Sequence, residues 1–252
     1  MRGFRRNRSG QVLILAALAI AFIISSTIVY TYQNSRALHV EQPFSTEDTV
    51  RIVKSGSRNL IIGSLANISY GGDSGILNSN LDRWSSFVES QYYLGHCILS
   101  YELCEASPYS AGLWVSWEDE GSGVTSAKVD FSMNLTDGGT EISVNYPVNV
   151  TSSLSVSGTY SVISPFSRDV NMVIHVSNEG EPALTKNLTV YYQTGFGWFD
   201  AGELSSYSLT DYGNGTYSVS FTVPWFWNRW VSVEIYDARE IFVQAALLLQ
   251  EA

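Results

Sequence analysis

The sequence predicts an N-terminal transmembrane helix, then an α+β unit of two helices on an antiparallel sheet, then an all-β sandwich. Three observations predict this. No charge occurs between Arg8 and Arg36, and residues 12–32 are almost wholly apolar. From about residue 45 to 94, apolar residues recur at steps of three and four, the period of a helix. From Leu113 onward, apolar and polar residues alternate, the period of a strand.

The apolar run reads VLILAALAIAFIISSTIVYTY. As a helix it spans roughly 31 Å, about the thickness of a bilayer's hydrocarbon core. Arg2, Arg5, Arg6 and Arg8 precede it and only Arg36 follows closely. Basic residues stay on the cytoplasmic side, so the N-terminus is expected inside and the rest outside. Ala19-Ile20-Ala21 has the small residues of a signal-peptide cleavage site. The apolar run continues past it through Ile23, Ile24, Ile28 and Val29, so retention as a single-pass anchor of the cell membrane is expected.

All 24 acidic residues but only 10 of the 14 basic ones follow residue 32, which gives that part a net charge of −14. Such a surface repels nucleic acid and anionic lipid and keeps an exported domain soluble. Charged residues make up 15% of the chain against 13% aromatic, a folded and β-rich composition. Cys97 and Cys104, on the outer side, are expected to form a disulfide. His96 beside Cys97 does not make a metal site, because no second ligand pair accompanies it. Sequons at Asn67, Asn134, Asn149, Asn187 and Asn214 are candidates for glycosylation.

The N-terminal stretch Arg5-Arg6-Asn7-Arg8-Ser9-Gly10-Gln11-Val12-Leu13 resembles the start of archaeal type IV pilin-like precursors. Those carry a basic leader, a small residue at the cut and a hydrophobic helix that often opens with Gln. The resemblance implies cleavage between Gly10 and Gln11, with the helix kept as an anchor or packed into a filament of like subunits. Leu15 stands where the family often has a Glu that registers neighbouring subunits.

Residues 1–36 thus form the basic leader and transmembrane helix, and residues 37–163 the α+β unit. Pro43 stops any helix, and Ser45-Thr46-Glu47-Asp48 has the form of a capping box. Val50, Val53, Leu60, Ile61, Leu65 and Ile68 follow at mostly helical spacing, until Gly71-Gly72 ends the helix. Gly56 weakens it, by about 1 kcal/mol relative to Ala. A second helix is expected from Asn80 to about Leu94, with Leu81, Trp84, Val88 and Tyr92 on one face. Leu113, Val115 and Trp117, then Val129, Phe131 and Met133, alternate as strands. Asp137-Gly138-Gly139 signals a hairpin, and Ile142, Val144 and Tyr146 return from it. Val148–Val162 reads as one or two further strands.

Residues 164–252 read as all β. Val170, Met172, Ile174 and Val176 alternate before an Asn178-Glu179-Gly180 turn, and Leu188, Val190 and Tyr192 alternate after it. The run from Leu209 to Phe221, LTDYGNGTYSVSF, resembles the E–F corner and F strand of immunoglobulin-like modules. The resemblance implies a sandwich in which Tyr217 hydrogen-bonds back to the backbone of the corner. Val219 takes the core place that Cys holds in antibody domains.

No catalytic set has useful spacing. His39, His96 and His175 have no nucleophile presented by a sharp turn. Asp130 and Glu141 are outward strand positions, and Glu118-Asp119-Glu120 is an acidic turn. No phosphate loop, dinucleotide fingerprint or calcium loop occurs. The chain is therefore expected to be no enzyme and to use no catalytic residue, metal or cofactor. The aromatic runs Phe196-Gly197-Trp198-Phe199 and Pro224-Trp225-Phe226-Trp227-Asn228-Arg229-Trp230 are different. Alternation buries only half of such a run, so some rings should be exposed. Trp198, Trp225, Trp227, Arg229 and Trp230 are the candidate binding surface, as such residues favour interfaces. The expected function is a pilin-like, cell-surface structural or adhesive protein. The alternative is a solitary anchored module that binds glycans or envelope proteins.

Overall fold

The computed structural model describes residues 46–92, 95–117, 120–137 and 140–252. The apolar segment 12–32 and the processing site at Gly10 and Gln11 lie outside the described residues. Among the described residues no helix is long and apolar enough to cross a membrane.

Two helices come first. Helix α1 (Thr46–Ser69) opens with Glu47 and Asp48, which suits the positive end of the helix dipole. Its buried stripe is Val53, Ser57, Ile61, Ser64, Leu65 and Ser69. Three serines thus stand inside, where an apolar stripe including Leu60 and Ile68 was expected. Helix α2 (Ile76–Gln91) starts before the expected Asn80 and buries Leu77, Leu81 and Val88. Gly56 has a positive reason to be glycine. A Cβ there would sit 2.4 Å from the Trp84 ring, so its absence lets the helices close on each other.

The strands follow in order: β1 (Gly95–Leu103), β2 (Leu113–Trp117), β3 (Ser122–Asp137), β4 (Thr140–Ser164), β5 (Ser167–Asn178), β6 (Glu181–Pro182), β7 (Thr185–Thr194), β8 (Gly197–Asp200), β9 (Ser208–Asp211), β10 (Thr216–Pro224), β11 (Trp227–Asp237), β12 (Phe242–Leu248) and β13 (Gln250–Glu251). One sheet has the order β1-β3-β4-β5-β10-β9, with β2 on β3, β6 on β5 and β13 on β4. The other has the order β12-β11-β7-β8. All pairs are antiparallel except the short β13–β4 pair.

Strand β4 organises the large sheet. Its 25 residues extend roughly 80 Å at about 3.3 Å each. The first part pairs with β3 and the last part with β5, overlapping at residues 152–155. One face is buried from Tyr146 to Tyr160, through Tyr146, Val148, Val150, Leu154, Val156 and Tyr160. The opposite face carries Asn149, Thr151, Ser153, Ser155, Ser157 and Thr159, so the period-two pattern sets a polar outer surface.

The expected boundary at 163/164 is therefore not a domain break. Ser164 pairs with Ser167 across a hairpin, and Val53–Ala252 form one compact unit. The Ser164-Pro165 punctuation marks a turn within one sheet. Both sheets contribute to one core: Val156, Ile174, Val219 and Phe221 from the large sheet, Val190, Tyr192, Val233, Ile235 and Val243 from the small one. Val219 is buried there, as expected. The Tyr217 hydroxyl instead accepts from the Thr185 N–H at 3.0 Å. It ties β10 to β7 in the other sheet and does not close its own corner.

The disulfide expectation is corrected by the same geometry. Cys97 lies within β1 and Cys104 just beyond its end, and both are free thiols. Seven steps of extended chain separate them by roughly 23 Å, against about 7 Å for the longest bridgeable Cα distance. Nearness in sequence becomes distance in a strand. Burial, and then the nearby Glu89 charge, push the Cys97 thiol up, which keeps it protonated and unreactive.

An ion network anchored on one buried carboxylate joins the two sheets and α1. Asp237 is fully buried and accepts from the N–H groups of Arg239 and Ile241 and from Arg239 Nε. Arg239 also donates to Glu179 at 2.6 Å and to the Thr151 carbonyl at 3.0 Å. Arg58 of α1 reaches Glu179 at 3.3 Å. Both oxygens of Asp237 and both of Glu179 thus face donors, which is what makes a buried charge tolerable.

Candidate functional site: an aromatic end

Three hairpin tips stand at one end of the β-rich part. The β4–β5 tip carries Val162, Ile163, Pro165 and Phe166. Pro165 presets the φ of a turn, and Ser164 Oγ lies 2.6 Å from Ser167 Oγ and accepts from the Phe166 N–H. Arg168 donates to the Ser164 and Ser167 carbonyls. With the turn's polar groups satisfied internally, Phe166 is left 73% exposed.

The β10–β11 tip lies directly beside it, because the Trp225 N–H donates to the Phe166 carbonyl at 3.0 Å. Trp225 is 58% exposed and stands edge-on to the exposed Phe226. Trp227 then turns inward. It is only 6% exposed and packs edge-on against Tyr160 at 5.6 Å. A bulge between Trp227 and Val231 follows, with Arg229 at φ 64° in the left-handed region and its side chain in solvent.

The β7–β8 tip joins through the partner strand, since Trp227 pairs with Thr194. Thr194 Oγ1 accepts from the Phe196 N–H and donates to the Gly197 carbonyl. Gly197 sits at φ +130°, which a side chain would rarely adopt. Phe196 is 88% exposed, and Trp198 and Phe199 are also exposed.

The candidate surface expected from sequence is thus partly assembled. Trp198, Trp225 and Arg229 are exposed on this end, and Trp230 is half-buried. Trp227 is corrected: it is the floor beneath the tips and part of the core. Val162, Ile163 and Phe166 were not foreseen as members. Their signal was three apolar residues around a Ser-Pro turn, where turn residues are usually polar. Single exposed apolar residues are ordinary, but several on adjoining tips make a contiguous patch of the kind that interaction sites use.

Other candidates do not converge. Asp130 faces Glu102 across β1, whereas Glu141 pairs with Thr136, about 20 Å further along. Glu102 and Asp130 line an open recess of about 320 Å3 with Ser100, Ser132 and Asn145. His175 Nδ1 lies 3.1 Å from Thr216 Oγ1 on the outer face. Among the described residues no three His, Cys, Asp or Glu side chains are grouped to hold a metal ion. The sequon residues Asn67, Asn134, Asn149, Asn187 and Asn214 are all exposed. The chain matches no protein-family model, no curated protein and no solved structure.

Proposed function

We propose that this chain is a non-enzymatic cell-surface protein with a structural or adhesive role. It is held, or assembled as a pilin-like subunit, through the apolar segment 12–32, and it presents an aromatic binding end on an immunoglobulin-like sandwich. The observation that carries this reading is the meeting of three hairpin tips with their rings in solvent. Water-exposed Trp and Phe on rigid tips lose little conformational freedom on binding, so their burial converts efficiently into affinity.

Leu15 favours a second reading, a solitary single-pass module that binds glycans or envelope proteins without forming filaments. The pilin-type leader supports the first. Intact mass and N-terminal sequence of the chain extracted from its native membrane separate them. A start at Gln11 supports the pilin-like subunit, and a start at Met1 supports the solitary anchor. The binding end is tested by Trp225→Ser/Phe226→Ser in the full chain. Loss of cell or envelope attachment with unchanged thermal unfolding is the expected result. Unchanged attachment removes the reading.

A further inference from the structure

We propose that the aromatic end inserts into the headgroup region of a lipid bilayer; this rests on the reading of the three tips as a binding end. Four observations favour a membrane over other occupants. The first is local charge. The chain beyond residue 32 carries a net charge of −14, yet the tips 162–168, 194–199 and 224–230 contain Arg168 and Arg229 and no acidic residue. The nearest acids on these strands, Asp169 and Asp200, follow the tips directly and accept from Asn171 and Thr222 and from the Gly202 N–H, behind the exposed rings along their strands. On a part of the chain that is otherwise acidic, these apolar tips therefore carry positive charge, the complement of an anionic lipid surface.

The second observation is residue type. Trp198 and Trp225 are amphipathic rings of the kind that settle at headgroup level, and Ile163, Phe166, Phe196 and Phe226 are purely apolar. Arg229 beside them has the length to keep its guanidinium on phosphate while its stem follows the rings.

The third is the scarcity of free polar groups. A sugar is recognised by side-chain donors and acceptors set beside an aromatic face. Here Ser164 and Ser167 are bonded to each other, Thr194 is occupied by its own turn, and Arg168 spans two carbonyls. What remains for a ligand is mostly ring surface and cationic charge, with the Asn228 amide and the indole N–H groups of Trp198 and Trp225 as the polar groups beside them. The fourth concerns a second copy. Two like ends meeting tip to tip would bring two Arg168 and two Arg229 together, which like-charge repulsion opposes.

The test uses the full chain reconstituted into proteoliposomes and mixed with phosphatidylcholine vesicles containing phosphatidylglycerol. Brominated acyl chains are placed in the host vesicles in one experiment and in the added vesicles in another. Expected is quenching of tryptophan emission from one of the two populations. Quenching should be lost in Trp198→Ser/Trp225→Ser. Binding of vesicles or of the host surface should weaken about tenfold in Phe166→Ser/Phe226→Ser, or in Arg229→Glu, with added salt mimicking only the last. These side chains are exposed, so unchanged thermal unfolding confirms that the fold is intact. Absence of quenching from both populations overturns the lipid assignment. If the tips then mediate self-association or hold a glycan, the binding end stands and only its ligand was misassigned. If the tips bind none of the three, the binding-end reading fails as well.

Discussion

Strand β4 passes beneath two different coverings, and its two halves show what each covering demands. Near Tyr146 its inner face lies under helices, and that interface is threaded with polar bonds. Ser57, fully buried, lies 3.1 Å from the Tyr146 hydroxyl and accepts from Trp84 Nε1 at 2.9 Å. Ser64 accepts from Asn80, and Ser69 accepts from the Phe242 N–H. Near Tyr160 the same face lies under the second sheet, and a continuous cluster of aliphatic and aromatic side chains fills the space between them. Helices approach closely where side chains are small, so serine suits the helical end, and its hydroxyls fix which helix face meets which ring. Facing sheets stand about 10 Å apart and need bulk to fill the gap, so Phe221, Tyr192 and Ile235 suit the other end. The helical end is specified by bonds and the sheet end by volume. The sheet end leaves its surplus aromatic residues outside, at the hairpin tips.

The strongest way to break this comparison is at the junction. Asp237→Ala removes a fully buried charge and leaves the Arg239 and Ile241 N–H groups without their acceptor. A loss of about 3–5 kcal/mol is expected in urea unfolding. The two ends should also separate, seen as tryptophan and far-ultraviolet signals that no longer coincide. A single coincident transition at full stability would show that the ends are joined by packing alone.

Next in size is Ser57→Ala, which strands the Tyr146 hydroxyl and Trp84 Nε1 at once. It should cost about 2 kcal/mol in the same assay, with the loss confined to hydrogen-exchange protection in α1 and α2. A neutral result would mean that the helical end is held by volume as the sheet end is. Gly56→Ala sharpens the point. Helix propensity gains about 1 kcal/mol, but the new methyl overlaps Trp84, and overpacking costs about 1–3 kcal/mol. Net destabilisation near 1 kcal/mol is expected, and stabilisation would show that the helices can part without loss.

The smallest effect is a pH dependence in the small sheet. Burial pushes the Glu234 carboxyl up. The folded protein then holds this proton more tightly than the unfolded chain does. The group therefore favours folding below its unfolded pKa, and that contribution is lost as pH rises through its folded value. Glu234→Gln should raise the melting temperature slightly at pH 7 and leave it unchanged near pH 3. A gain at the acidic end instead would reverse the sign and exclude burial as the cause.

Much of this was legible in residue order. Period-two alternation located the strands, and Asp137 does pair with Thr140 across the predicted hairpin. Other features were not legible, for physical reasons. Ser57 and Ser64 are invisible to a search for apolar periodicity. Ser164-Pro165 punctuates a hairpin and a domain boundary equally well, and only long-range pairing of β4 with both β3 and β5 decides between them. For Trp225-Phe226-Trp227, alternation foretold that some rings stay outside but not which. Inward Tyr217, Val219, Phe221 and Val223 point to Trp225 as the next buried ring. The chain turns there instead, and β11 restarts the alternation with Trp227 inward.

The central claim is that the aromatic tips are a contact surface. Hydroxyl-radical footprinting of the full chain tests it most directly, comparing detergent-dispersed protein with protein in its native membrane. The account predicts that Phe166, Phe196, Trp198, Trp225 and Phe226 are labelled when dispersed and protected in the native setting, with Trp227 and Phe221 protected in both. Equal labelling of the tips in both settings would contradict it.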